Sequence, residues 1–246
     1  MGGGNYSTKG RYSIRRQEQI LEKPLRRTGK DFGIDLSYSY HGVKIINEKQ
    51  WDQFKGRGVT ENTLAFYDTR DNIIYIRRKE FAKLDKLTLL HETLHGQSGP
   101  NNYQTAIGQI IEEGTVQYIT EYTLKNNFLT QAVRYTTARR GRVYPKEVQF
   151  VVQLMTIVGR KKFLQYWQYG FDKQATYYEL ERDLRSAGYY KTANNIDNYQ
   201  TTFTDPNKNI SKQEIMNTLN DEFSFFKRST NFNLSEYWKI DEFEKE

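Results

Sequence analysis

The chain has 246 residues, enough for one large domain or a compact domain with extensions, and carries a formal net charge of +7. It has no cysteine, which excludes disulfides, thiolate metal ligands and cysteine nucleophiles. No run approaches about 18 apolar residues and the first residues lack an apolar signal core, so neither a membrane span nor a secretory signal is expected, and a cytoplasmic or phage-virion location is.

Residues 1–30 hold eight basic side chains against Glu18 and Glu22, which is +6 of the +7 and leaves +1 for the other 216 residues. The segment begins with Met1 and three glycines and shows little apolar periodicity, so it is expected as a basic, flexible leader. The sharper alternative is an arm that grips an acidic or nucleic-acid partner. Residues 31–60 alternate apolar and polar positions (Ile34, Leu36, Tyr38, Tyr40; Val43, Ile45) between turn residues, which predicts one or two strands. His41 lies here, a surface residue on the plainer reading and a helper at a catalytic site on the other. Two apolar runs, Leu64–Asp68 and Ile73–Arg77, flank Thr69-Arg70-Asp71-Asn72 and predict a β-hairpin.

A helix follows, starting near Asp85, whose side chain can cap it, and ending at Gly96. It contains His91-Glu92-Thr93-Leu94-His95 in a leucine-rich run. Residues i and i+4 lie about 40° apart around a helix, so His91 and His95 share a face and can hold one metal ion as neutral imidazoles. Glu92 projects about 100° round, where it can reach a water on that metal without binding the metal. Zinc, Zn2+, suits this chemistry because it lowers the pKa of bound water to about 7. The whole chain has only three histidines, and none follows His95, so a third ligand downstream must be a carboxylate. The next helical run, Thr105–Thr120, supplies Glu112 and Glu113 in an apolar setting, where a charge is costly unless paired or metal-bound. Gly114 beside them would let two helices approach closely.

H-E-T-L-H, a turn and E-G on the following helix resemble the gluzincin group of zinc metallopeptidases, over roughly residues 62–124. The resemblance implies Glu113, directly before the glycine, as third zinc ligand; Glu112, about 100° round, is the rival. It also implies Glu92 as general base, a peptide or protein as substrate, and an edge strand that pairs with extended peptide, for which residues 73–77 are the candidate. Gln117 departs from the acidic residue that some relatives carry one turn after the ligand, which bears on how the histidines are oriented. Tyr103, Tyr118, Tyr144 and His41 are the candidates for stabilising an oxyanion.

The rest reads as helical. Pro145 suits a first helical position, and Val148, Val151, Val152, Met155 and Val158 follow at helical spacing up to Gly159. Residues 160–169 and 172–187 predict two more helices, residues 188–210 a loop, and Ser211-Lys212-Gln213-Glu214 a capping box before Ile215, Leu219 and Phe223. Arg134, Arg139, Arg140 and Arg142 near Tyr135 and Tyr144 make a basic loop that could meet phosphate. The last residues are acidic and expected to fray.

The expected fold class is therefore α+β. After the leader, one zincin-like domain covers 31–246: a small antiparallel sheet in 31–80, metal-site helices in 81–127 and a helical subdomain in 128–246. The expected activity is peptide hydrolysis. The alternative is a phage virion component or other binding protein that keeps the fold with a structural or relic site.

Overall fold

The computed structural model describes residues 8–37, 42–55, 59, 61, 63–79, 86–98, 105–127, 144–170, 174–201 and 211–230. Among them are nine α-helices and one three-stranded mixed sheet, an α+β composition that is mostly helical. None of the described helices is long and apolar enough to cross a membrane. The chain divides into two compact units, residues 1–97 with 120–128, and residues 98–119 with 129–246.

The first unit opens with helix α1, Thr8–Phe32. Residues 8–30, expected as a flexible leader, are thus helical. Their buried stripe is narrow: Leu21, Leu25, Thr28 and Phe32 recur at helical spacing and are all nearly inaccessible. Thr28 breaks the apolar pattern, but its hydroxyl accepts a hydrogen bond from Thr123 at 2.9 Å. Such a pair satisfies two buried hydroxyls at once and leaves no trace in a hydropathy pattern. Gly33 ends the helix with φ of 69°; Ile34 N–H reaches back to Gly29 O and Gly33 N–H to Lys30 O, the paired bonds of a Schellman stop.

Strand β1 (Gly42–Ile46) leads into the short helix α2 (Glu48–Trp51) and a 3-10 turn at Asp52–Phe54. Asn47 caps α2 through a reciprocal box with Gln50. Strands β2 (Ala65–Asp68) and β3 (Ile73–Arg77) form the expected hairpin, with Asn72 in the turn at φ of 53°. The strand order is β1-β3-β2. Two expectations are corrected here. The sheet is mixed, because β1 runs parallel to β3, and β3 is central, so residues 73–77 are not an edge strand. The edges are β1 and β2. Burial explains the difference: Ile74, Tyr75, Ile76 and Arg77 are all buried in β3, a run fit for a central strand rather than an edge.

On one face of the sheet Trp51, Phe54, Phe66 and Tyr75 cluster with Ile46 and Val59. Phe66 and Tyr75 sit opposite each other in the ladder and stack at 5.3 Å. Arg77 is buried yet satisfied: it donates to both carboxylate oxygens of Glu48 and to Glu61 O, and lies 5.6 Å over the Trp51 ring. Residues 34–37 are not a strand, and 38–41 lie outside the described residues. Helix α3 (Lys86–His95) packs against β2 and α1. The last turns of helix α4 (Ala106–Asn127), residues 120–127, belong to this unit, with Tyr122 4.5 Å from Phe32 between ring centres.

The second unit takes residues 106–119 of α4 and five further helices: α5 (Pro145–Val158), α6 (Arg160–Tyr169), α7 (Gln174–Ser186), α8 (Tyr190–Thr201) and α9 (Lys212–Thr230). Pro145 opens α5 as expected, and the stripe Val148, Val151, Val152 and Met155 is buried. Gly188, at φ of 89°, ends α7 where the sequence placed a stop. Ser211 accepts from Glu214 N–H at the start of α9, and Ile215, Leu219 and Phe223 are buried as predicted.

Residues 190–201, expected as part of a loop, form α8 instead. Its N-terminus is capped from a distance. Glu222 of α9 accepts hydrogen bonds from Lys191 N–H, Thr192 N–H and Thr192 Oγ1, at 2.9, 2.9 and 2.7 Å. A carboxylate there satisfies orphan amides and meets the positive end of the helix dipole. Glu222→Ala is expected to lower the urea midpoint at unchanged slope, by a stability loss of about 1–2 kcal/mol, as for loss of an N-cap.

Candidate metal centre

Helix α3 is buried nearly all round. Leu89, Leu90 and Leu94 are inaccessible, and Thr93 turns its hydroxyl back to Leu89 O at 2.7 Å. A helix of this kind is placed by packing on every side, which fixes the direction of its polar residues. His91, Glu92 and His95 are each buried, at 8, 9 and 6% exposure, although all three are polar. Buried polar groups are retained where something compensates their desolvation. The two imidazoles meet edge to face with centroids 4.8 Å apart, as i and i+4 residues of one face do.

Glu113 joins them. One ligand atom each from His91, His95 and Glu113 lie within 4.8 Å of one another, so this group could hold a metal ion. Two neutral imidazoles and one carboxylate make a three-ligand donor set of the kind that leaves a fourth position to water. The donor chemistry fits the expected ion.

The turn of α4 places Glu113 in this group and Glu112 elsewhere. Glu112 is fully buried on another side of the helix, where Oε2 accepts a 2.8 Å hydrogen bond from Trp167 Nε1 of α6. A buried indole N–H needs an acceptor, and Glu112 supplies it. Gly114 faces α5. A Cβ there would run into the backbone oxygen of Glu147, and would lie 2.7 Å from Glu147 C and 2.8 Å from Val151 Cγ2. The close approach of two helices expected at Gly114 is thus found between α4 and α5.

Glu92 is positioned from the sheet. Its Oε2 accepts a 2.8 Å hydrogen bond from Tyr67 N–H of β2. Arg77 N–H donates to Leu64 O, so in the β2–β3 register the pair 64/77 is hydrogen-bonded and 67/74 is not. Tyr67 N–H therefore points away from β3, at the outer edge of the sheet, and that amide holds the carboxylate. Composition and spacing give no signal for such a contact, because the donor is backbone.

Of the four residues considered for an oxyanion, Tyr103 and His41 lie outside the described residues. Tyr118 is buried in α4, about 140° round the helix from Glu113. Tyr144 precedes α5 at φ of 56° and is 36% exposed. Gln117 is buried in α4 one turn after Glu113, and Gln97, just past the α3 terminus, accepts from Ser37 N–H at 3.1 Å. Asp85, Tyr135 and the arginines at 134, 139, 140 and 142 fall outside the described residues.

No family model matches this chain, and neither a curated protein nor a solved structure does.

Proposed function

We propose that this chain is a zinc-dependent metallopeptidase, with zinc held by His91, His95 and Glu113 and with Glu92 as general base. The observation that carries the reading is the convergence of those three ligand atoms within 4.8 Å, with Glu92 next to one of them on the same helix. The donor set is two imidazoles and a carboxylate, and the residue between the first histidine and the rest of the motif is an acid that another group already orients.

When bound, the zinc ion would lower the pKa of a water to about 7 and polarise a carbonyl. Glu92 takes a proton from the attacking water and returns it to the leaving amine as the peptide bond breaks. The Tyr67 amide, which donates to Oε2, holds that carboxylate in place.

Elemental analysis tests the reading, with wild type and Glu113→Ala side by side and circular dichroism to confirm that both are folded. About one zinc per wild-type chain, lost in Glu113→Ala, is the expected outcome. A wild-type protein that holds no zinc and takes none up on addition would sink the proposal. Zinc bound with no hydrolysis of any unfolded protein offered would instead indicate a structural site.

A further inference from the structure

Glu113 projects from α4, and its two neighbours in the chain tie α4 to two other helices. Glu112 Oε2 accepts from Trp167 Nε1 of α6 at 2.8 Å, and both side chains are inaccessible to solvent. Gly114 meets α5, where an added Cβ would lie 2.7 Å from Glu147 C and 2.8 Å from Val151 Cγ2. Positions 112 and 114 each lie about 100° round the helix from 113, on either side of it. The two contacts therefore flank the direction in which Glu113 points. Their partners also support each other. Helices α5 and α6 pack together, and α6 is seated through Phe163, Leu164 and Trp167, all inaccessible. One packed pair of helices thus grips α4 on both sides of the carboxylate.

On the basis of the zinc site proposed above, we infer that Glu112 and Trp167 are positioning residues: their hydrogen bond sets the rotation of α4 and so the aim of the Glu113 carboxylate. Neither supplies a ligand atom to the metal group. A carboxylate at the rim of a helix stands about 5–6 Å from the axis, so a turn of about 10° carries it about 1 Å. Metal–ligand distances tolerate only about 0.2 Å. The Gly114 contact sets how closely α4 approaches α5, but glycine has no side chain to interlock against rotation. A hydrogen bond is directional and weakens steeply when bent, so the Glu112–Trp167 bond supplies the angular restraint that the glycine lacks. Burying a carboxyl is costly, and an apolar side chain would fill the space more cheaply. A buried polar pair specifies one arrangement where apolar packing tolerates several.

The test is the zinc dissociation constant of the full chain, measured by competition with a chromogenic chelator. Trp167→Phe keeps a ring in the space and removes the N–H. It is expected to weaken zinc binding about 10-fold, the lower end of what losing a partner bonded directly to a metal ligand costs. Glu112→Leu/Trp167→Phe removes donor and acceptor together, which is gentler on the fold than stranding either one. The double variant is expected to weaken zinc by the same factor, because the same bond is lost, and it decides the matter should the single variant not fold. Ile196→Val deletes a buried methyl group in α8, which packs on α7 and α9. This control for destabilisation alone is expected to lower the urea midpoint and to keep the wild-type zinc affinity. Wild-type affinity in the double variant, or equal weakening in Ile196→Val, would overturn the inference and leave the zinc site standing. A wild-type chain that takes up no zinc would overturn both.

Discussion

Glu92→Gln is expected to bind zinc at the wild-type ratio and to hydrolyse dye-labelled casein about 10²–10⁴-fold more slowly. The substitution separates holding the metal from using it. Glutamine has the same shape, and its carbonyl oxygen can still accept from the Tyr67 amide at the place Oε2 now occupies. What it lacks is an oxygen that takes up a proton. Neither His91, His95 nor Glu113 changes, so the metal content should not follow the activity down. A Glu92→Gln protein that keeps wild-type activity would remove Glu92 from the mechanism, and one that loses its zinc would make Glu92 a ligand.

Tyr67→Pro probes the same carboxylate from its other side. The Tyr67 N–H faces away from β3, so proline there deletes the donor to Glu92 without removing a bond of the β2–β3 ladder. A carboxylate released from its anchor samples positions away from the reacting water. An error of an ångström in such a group costs about 10²-fold, so kcat should fall by about 10-fold or more while zinc content stays constant. Tyr67→Ala retains the amide and should retain the rate, which distinguishes the backbone donor from the side chain.

The parts of the site that could be read from the sequence are those fixed by the geometry of a single helix. His91 and His95 had to share a face whatever surrounds them, and the absence of any later histidine pointed to a carboxylate. Which carboxylate was open, because the answer depends on what covers each side of α4. Trp167, 55 residues away, occupies the side of Glu112. The fold shows the same division. Helices α5, α6, α7 and α9 carry their own stops and stripes, and were predicted close to where they occur. Helix α8 is capped by Glu222, and the polar gap in the buried stripe of α1 is filled by a threonine pair with Thr123, both supplied by distant parts of the chain. The order of the strands was hidden for a similar reason. A run such as Ile73–Arg77 reads as a strand by itself, but whether it is central depends on β1 arriving in parallel on its far side.

Gly114→Ala is the substitution expected to cost the fold most for its size. Alanine is the better helix former, and in an open helix the change would stabilise by about 1 kcal/mol. Here the new methyl group meets the backbone oxygen of Glu147, together with Glu147 C at 2.7 Å and Val151 Cγ2 at 2.8 Å. A side chain could rotate away, but a backbone carbonyl in the first turn of α5 can yield only if the helix moves. Overpacking of this kind costs about 1–3 kcal/mol, which outweighs the gain in propensity and makes the net effect destabilising. Urea unfolding reads the loss as a lower midpoint. The neighbouring residue gives a second readout: if α4 shifts to relieve the clash, the carboxylate of Glu113 moves with it, and zinc affinity should fall although no ligand has been changed. An alanine variant more stable than wild type would show that α4 and α5 do not meet at Gly114. A destabilised variant with unchanged zinc affinity would show that α5 yields and α4 holds Glu113 in place.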